Sequence, residues 1–180
     1  KVISVKPISS LVSNLSLIDD LVKNSSQKKV SIVGGGVAAF ELSFALYKRY
    51  NGNISLSIIS SPLLAEKNLN ISTINRLKKI ANNLGINLIL NQVITINKSE
   101  IVLDNEDKIQ SDCVLLSTGA SLPDWLEKSD LEKTENFIAV NHQLQSLNHQ
   151  NIFVTGDAAT IKNYKRPKSG VMAVRQGEVL

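Results

Sequence analysis

The sequence predicts an α/β fold: a parallel sheet with an antiparallel meander inserted into it, followed by part of a second domain. Three observations predict it. Short apolar runs alternate with segments of helical periodicity through residues 28–90. A glycine run joins the first of these strands directly to its helix. A group of short strands at 93–109 then interrupts the alternation before a buried strand returns at 112–117. Strands linked by helices need crossover connections, which make the strands parallel.

The elements follow in order. Ile8, Leu11, Val12, Leu15, Ile18, Leu21 and Val22 recur at helical spacing, so residues 8–23 are expected to form a helix with one apolar face. Residues 28–33 are the first strand. The helix after it is expected to bury Ala38, Leu42, Ala45 and Leu46, and Asn51-Gly52-Asn53 stops it. Residues 54–60 form the second strand, with apolar side chains at 54, 56, 58 and 59. Residues 71–84 form a helix ended by Gly85, and 86–90 the third strand. The meander comprises 93–97, 100–103 and 108–109, with Asp104-Asn105-Glu106-Asp107 turning between the last two. Residues 112–117, 137–140 and 152–155 are further strands, the last ending at Gly156-Asp157. Val171, Ala173 and Val174 are expected on a helix packed against the sheet.

The run Val30-Ser31-Ile32-Val33-Gly34-Gly35-Gly36-Val37-Ala38-Ala39 reads G-x-G-x-x-A. Its context makes this a Rossmann-like dinucleotide fingerprint rather than a chance match, because a strand precedes it and a helix follows. The first glycine permits a tight turn, the second admits a pyrophosphate to the backbone, and Ala39 lets helix and strand pack closely. Gly34, Gly35, Gly36, Val37 and Ala38 are therefore the expected cofactor-binding turn. The helix N-terminus offers N–H groups and partial positive charge to the phosphates.

Composition narrows the classes. The chain has 180 residues, is 43% hydrophobic and carries 20 basic against 16 acidic residues, a net charge of +4. A sizeable core is possible, and the modest, scattered charge does not predict a nucleic-acid partner. The one basic cluster, Lys162 to Lys168, reads as a solvated loop. A single cysteine excludes an internal disulfide, a CxxC pair and a multi-cysteine metal site. His142 and His149 are the only histidines, so no metal site is expected. No apolar run reaches the roughly 18 residues of a membrane span, and a cytoplasmic location is expected. The chain starts with Lys, has its only Met at 172 and ends on Val179-Leu180 within an expected helix. It reads as a fragment of a larger protein.

Four further positions bear on chemistry. Glu41 lies one turn into the helix after the glycines; it is either a surface carboxylate favoured by the helix end or an acceptor for a nicotinamide carboxamide. At the end of the second strand, an acidic residue would hold a ribose 2′-OH and an arginine a 2′-phosphate. This chain has Ser60-Ser61-Pro62, with Glu66 the nearest acid. NAD against NADP stays open, with the balance toward NAD because a 2′-phosphate finds no cation there. Ser117-Thr118-Gly119-Ala120 ends a buried strand; Thr118 and Gly119 either make a simple turn or approach a bound dinucleotide. In Thr155-Gly156-Asp157-Ala158-Ala159, Gly156 gives close approach and Asp157 can accept from ribitol or ribose hydroxyls.

The ordered set Gly34-Gly35-Gly36 with Glu41, Ser117-Thr118-Gly119-Ala120 and Thr155-Gly156-Asp157-Ala158-Ala159 resembles the pyridine-nucleotide flavin oxidoreductases. The stretch Arg166-Pro167-Lys168-Ser169-Gly170-Val171-Met172-Ala173-Val174-Arg175-Gln176-Gly177 is similar to the NADH dehydrogenase-like (type II-like) group, some members of which are fused to selenide, water dikinase. The resemblance implies a nicotinamide domain inserted into a split FAD-binding domain. Residues 1–27 would be a helical lead-in from the flavin domain, 28–140 the NAD(P)H-binding domain, and 141–180 the partial C-terminal half of the FAD-binding domain. It further implies NAD(P)H on Gly34, Gly36 and Glu41, the flavin on Asp157, and Gln176 near the isoalloxazine ring. The first glycine fingerprint of the family, which grips FAD, would lie upstream of Lys1.

The function expected is therefore an FAD-dependent NAD(P)H dehydrogenase that passes hydride to flavin and on to a small-molecule electron acceptor, such as a quinone or a selenium or sulfur compound. No side-chain acid or base is needed for that step. Peripheral membrane contact of the intact protein and a fused or associated selenide, water dikinase-like domain follow from the same resemblance. A rival from another class is a regulatory module that senses NAD(H) without turnover. A single-cofactor dehydrogenase would need a placed Tyr, Lys or His, and Tyr47, Lys48 and Tyr50 lie at the far end of their helix from the glycines. Cys113, alone in an apolar strand, reads as a buried core thiol.

Overall fold

The alternation of strand and helix in the first two thirds of the chain is realised as a sheet with one layer on each face. The computed structural model describes residues 1–23, 27–61, 70–164, 166 and 168–180. Two units divide the chain, Lys1–Gly119 and Ala120–Leu180.

The first unit contains β1 (Val2–Ser4), α1 (Ile8–Lys23), β2 (Lys28–Val33), α2 (Val37–Arg49), β3 (Ile54–Ile59), α3 (Ile71–Asn83) and β4 (Asn87–Ile89). The meander β5 (Val93–Ile96), β6 (Glu100–Leu103) and β7 (Lys108–Gln110) follows, and β8 (Cys113–Leu116) closes the unit. Five strands pair in parallel in the order β1-β8-β2-β3-β4. The meander is a separate antiparallel sheet, ordered β5-β6-β7. The Rossmann-like expectation holds, and the sheet gains one strand, β1, that the sequence reading leaves unassigned. Three residues are too few to show a period.

Alternation along the strands decides which layer each side chain joins. Val30, Ile32, Leu56, Ile58, Cys113 and Leu115 pack with Ile18 of α1, Phe40 and Leu46 of α2 and Ala81 of α3. The intervening Val33, Ile59 and Val114 pack with Ile101 and Leu103 of β6. The meander thus covers the sheet face that the helices leave open. This explains why β2 reads as a continuous apolar run rather than an alternating one.

The buried face of α2 differs from expectation. Ala39, Phe40, Ser43 and Leu46 are buried, Leu42 is half-buried, and Ala38 and Ala45 are exposed. Small alanines on both faces gave a false phase; Phe40, with the larger apolar area, sets the true one. The Ser43 hydroxyl is accommodated by donating to the Phe40 carbonyl at 2.7 Å. At its start α3 is capped by Asn70, whose side chain accepts from Thr73 N at 2.8 Å.

The second unit holds α4 (Asp124–Glu127), β9 (Lys133–Thr134), β10 (Phe137–Val140), a 3₁₀ turn at Gly156–Ala158, β11 (Ala159–Ile161) and α5 (Gly170–Gly177). The sheet order is β11-β10-β9, with β10 parallel to β11 and antiparallel to β9. Leu122, Leu131, Ile138, Val140, Leu144, Ala159 and Ile161 form its core. A second correction falls here. Residues 152–155 do not form the expected strand: Phe153 makes only an isolated bridge to Gln145, and Val154 N donates to the Leu144 carbonyl. The strand lies after Gly156-Asp157, at Ala159–Ile161. An apolar run of four residues fixes neither its partner nor whether it has one. A third concerns α5, where Val171 and Val174 are exposed and Ala173 alone of the three turns inward, toward Gly156.

Candidate functional site

Three loops leave the carboxyl ends of adjacent parallel strands. The register aligns Val33 of β2 with Leu116 of β8 on one side and Ile59 of β3 on the other. The residues that follow, Gly34, Ser117 and Ser60, therefore share one sheet edge. Outside the carboxyl ends of such strands, where connections diverge from the central strand, is where α/β sheets bind ligands. Gly34 N donates to the Ile59 carbonyl at 2.9 Å and Ser117 N to the Val33 carbonyl at 2.8 Å, which ties the loops together.

The glycines do different work. Gly34 has φ +143°, and a Cβ placed there would lie 2.2 Å from the Ser117 carbonyl oxygen. It is required by both its backbone conformation and the passage of the β8 loop. Gly35 is buried. Gly36, the N-cap of α2, has φ −80° and ψ 173°, and a Cβ there would meet nothing within 4 Å. Open space thus lies above Gly36. No side chain caps α2, so its first amides keep their donor capacity toward that space. Gly36, Val37 and Ala38 are exposed, while Ala39 is fully buried, as the close-packing role of that position demands.

Glu41 is exposed on α2 and has no hydrogen-bond or ion-pair partner among the described residues. Thr118 and Gly119 are exposed at the same sheet edge, with Gly119 at φ +115°. Ser60 is buried, its N–H donating to the Ile89 carbonyl and its hydroxyl to the Ser61 carbonyl at 2.9 Å; Ser61 is half-buried. Pro62 and Glu66 lie outside the described residues.

In the second unit, Gly156 has φ +65° and begins the 3₁₀ turn that carries Asp157. Gly156 N donates to Gln176 Oε1 at 2.7 Å. Gln176 is therefore a pin from α5 to the Gly-Asp turn, a role that the sequence did not disclose. A Cβ on Gly156 would come within 3.2 Å of the Ala173 Cβ. Asp157 is half-buried.

The basic stretch is a further correction. Lys168 is not simply solvated: it sits 3.8 Å from the Phe137 ring centroid and donates to the Ala159 carbonyl and to Thr160 Oγ1 at 3.0 Å. Burial pulls its ammonium below the usual lysine range, opposed by the charges of Asp157 and Glu135. Arg166 lies over the Tyr164 ring at 4.8 Å. Lys165 and Pro167 lie outside the described residues. Periodicity could not find the Phe137 contact, because it joins a loop to a strand distant in sequence. Cys113 is fully buried, and burial pushes its thiol up, consistent with a core role. Among the described residues no group of three His, Cys, Asp or Glu could hold a metal, and no helix is long and apolar enough to cross a membrane.

Comparison with known proteins agrees with this geometry. Residues 6–177 match the family model described as pyridine nucleotide-disulphide oxidoreductase, a family that works with FAD and NAD(P)H. The chain is 28% identical over 180 residues to an NADH oxidase of Mycoplasma pneumoniae, covering 92% of this chain and 37% of that one. It is 24% identical over 173 residues to human ferroptosis suppressor protein 1, covering 88% and 46%. The chain thus spans less than half the length of these curated relatives. Among solved structures, reduced CoADR-RHD of Bacillus anthracis matches with a TM-score of 0.78 at 17% identity, over 99% of this chain and 32% of that one. A NAD-dependent persulfide reductase from A. fulgidus matches with a TM-score of 0.76 at 19% identity, over 99% and 34%. At these identities the structural matches establish the fold.

Proposed function

Because this chain belongs to the pyridine nucleotide-disulphide oxidoreductase family, we propose that the intact protein is an FAD-dependent NAD(P)H dehydrogenase whose nicotinamide nucleotide binds across the Gly34–Glu41 turn. One observation carries the reading: Gly34 is closed in by Ser117 while Gly36, two residues on, faces open space at an uncapped helix end. A turn selected only for tightness would not need the second glycine open. The pyrophosphate would lie on the amides of Gly35, Gly36, Val37 and Ala38. Glu41 would accept from the carboxamide, since its carboxylate has no competing partner among the described residues. Thr118 and Gly119 would border the dinucleotide. Ser60 and Ser61 would face the ribose.

The unit Lys1–Gly119 would serve the nicotinamide nucleotide and Ala120–Leu180 the flavin, since β9 and β10, within the expected 28–140, pair with β11 in the second unit. Asp157 would accept from flavin hydroxyls, held in place by the Gly156–Gln176 bond. When bound, the two cofactors supply the redox chemistry, a hydride passing between them and two electrons leaving to a small acceptor. The chain's own part is orientation, which is worth several orders of magnitude in rate when reacting atoms are held in contact. The mycoplasma relative's name, NADH oxidase, agrees with a nicotinamide donor.

Steady-state NADH oxidation with an artificial acceptor tests this against a non-catalytic NAD(H) sensor. The intact protein is expected to turn over, and Glu41→Ala to lower kcat/KM for NADH about tenfold, the value of one charge-assisted hydrogen bond. NADH binding with no turnover would establish the sensor instead.

A further inference from the structure

A half-buried lysine of the second unit has no part in the roles assigned above. The 3₁₀ turn that carries Asp157 is three residues long, Gly156–Ala158, and β11 begins directly after it. So short a turn cannot fix a side chain by itself; its neighbours must. The segment around α5 holds it at three points. Gln176, near the end of α5, accepts from Gly156 N at 2.7 Å. Ala173 lies against Gly156, where an added Cβ would come within 3.2 Å of the alanine methyl. Lys168, two residues before α5, donates to the Ala159 carbonyl and to Thr160 Oγ1 at 3.0 Å. Gln176 thus binds the first residue of the turn, and Lys168 binds Ala159, the residue that ends it. A lysine that serves only solubility keeps its head in water. This one spends two of its three N–H bonds on the exit of the turn, with its ammonium 3.8 Å from the Phe137 ring centroid. The acids whose charges reach it are Asp157, in the turn, and Glu135, between β9 and β10. Arg166 is the other cation beside them.

We propose that Lys168 is a positioning residue that locks the Gly156–Ala158 turn in the shape presenting Asp157, and that the hold on flavin therefore depends on the charge of Lys168. This rests on the assignment of Asp157 to the flavin made above. Lys168 acts through the turn and touches no reacting atom. Its effect on flavin must then disappear when residue 157 has no carboxylate to present. The effect must also follow the protonation of one amine. The ammonium donates charge-assisted bonds; the neutral amine donates weaker ones and no longer offsets the charge of Asp157.

The test measures FAD affinity of the full-length apoprotein by fluorescence quenching, without NADH. Lys168→Met keeps the aliphatic stem and removes the donors. It is expected to weaken FAD about tenfold, the loss of one charge-assisted contact, and Lys168→Arg to recover part of that. In an Asp157→Asn background, Lys168→Met is expected to cost less than about twofold, because two residues acting as a unit are not additive. The unmodified protein is expected to lose affinity as pH rises toward the ordinary lysine value of 10.5, since burial lets Lys168 give up its proton below that value. Lys168→Met is expected to lack this limb, and so is Lys168→Arg, which stays charged. Lys168→Gln, also without the limb, serves in place of a methionine variant that does not fold. FAD affinity unchanged by Lys168→Met, a tenfold loss that persists beside Asp157→Asn, or a pH limb that survives Lys168→Met would each overturn the positioning role alone. An unmodified full-length protein that binds no FAD would overturn the flavin assignment of Asp157 and the role of Lys168 with it.

Discussion

Gly34 and Gly36 separate a folding requirement from a binding one. At Gly34 an added Cβ would lie 2.2 Å from the Ser117 carbonyl oxygen, on a backbone at φ +143°. Gly34→Ala is expected to destabilise the first unit by about 3 kcal/mol or more, since overpacking and a disfavoured backbone add. Gly36 has ordinary extended backbone and free space above it. Gly36→Val is expected to leave the unfolding temperature within a few degrees and to weaken NADH at least about tenfold, because the branched side chain fills the space the pyrophosphate needs. Thermal unfolding and fluorescence titration on the two variants check this. A Gly36→Val protein that binds NADH as the unmodified chain does would remove the pyrophosphate from this turn.

Between elements, the ends of α1 and α2 are joined by one polar cluster. Asp19 Oδ2 accepts from Arg49 Nη2 at 2.8 Å, and Asp19 Oδ1 accepts from Arg49 Nε at 3.1 Å and from the Tyr50 hydroxyl at 2.8 Å. The Arg49 bond, then the Tyr50 bond, holds the Asp19 carboxyl below its usual 3.8. Burial, reinforced by the bond to Asp19, pushes the Tyr50 phenol up to about 12 from 10.0. The signs are opposite. Asp19 contributes stability that is present above pH 3.8 and lost as pH falls below it. Tyr50 contributes stability that is present below pH 10 and lost as pH rises toward about 12. Chemical denaturation across pH is expected to show both losses. Asp19→Asn is expected to flatten the acid limb and Tyr50→Phe the alkaline limb; unchanged limbs would deny the cluster its role.

How much of this was legible in the sequence depends on how local each cause is. The glycine turn, the meander and α3 follow from residues adjacent in the chain, and those elements lie within a residue or two of expectation. The phase of α2 is not legible because Ala38 and Ala45 are compatible with either face, and only Phe40 against the sheet breaks the tie. The strand lies at 159–161 rather than 152–155 because pairing with β10, a non-local contact, decides it. Likewise no spacing announces that Gln176 reaches back to Gly156, or that Lys168 crosses to Phe137. The glycine run is legible as a motif; the contacts around the Gly156 turn are not.

Across the molecule, the proposed function puts the nicotinamide nucleotide on one turn and the flavin on another, on two units that each have their own core. The family match spans both units, from residue 6 to residue 177. Anaerobic titration of the intact protein with NADH, followed by the bleaching of flavin absorbance, tests this most directly. Bleaching is expected to be complete at about one equivalent of NADH per flavin, the stoichiometry of a two-electron transfer. Flavin that stays oxidised in the presence of both NADH and NADPH would contradict it.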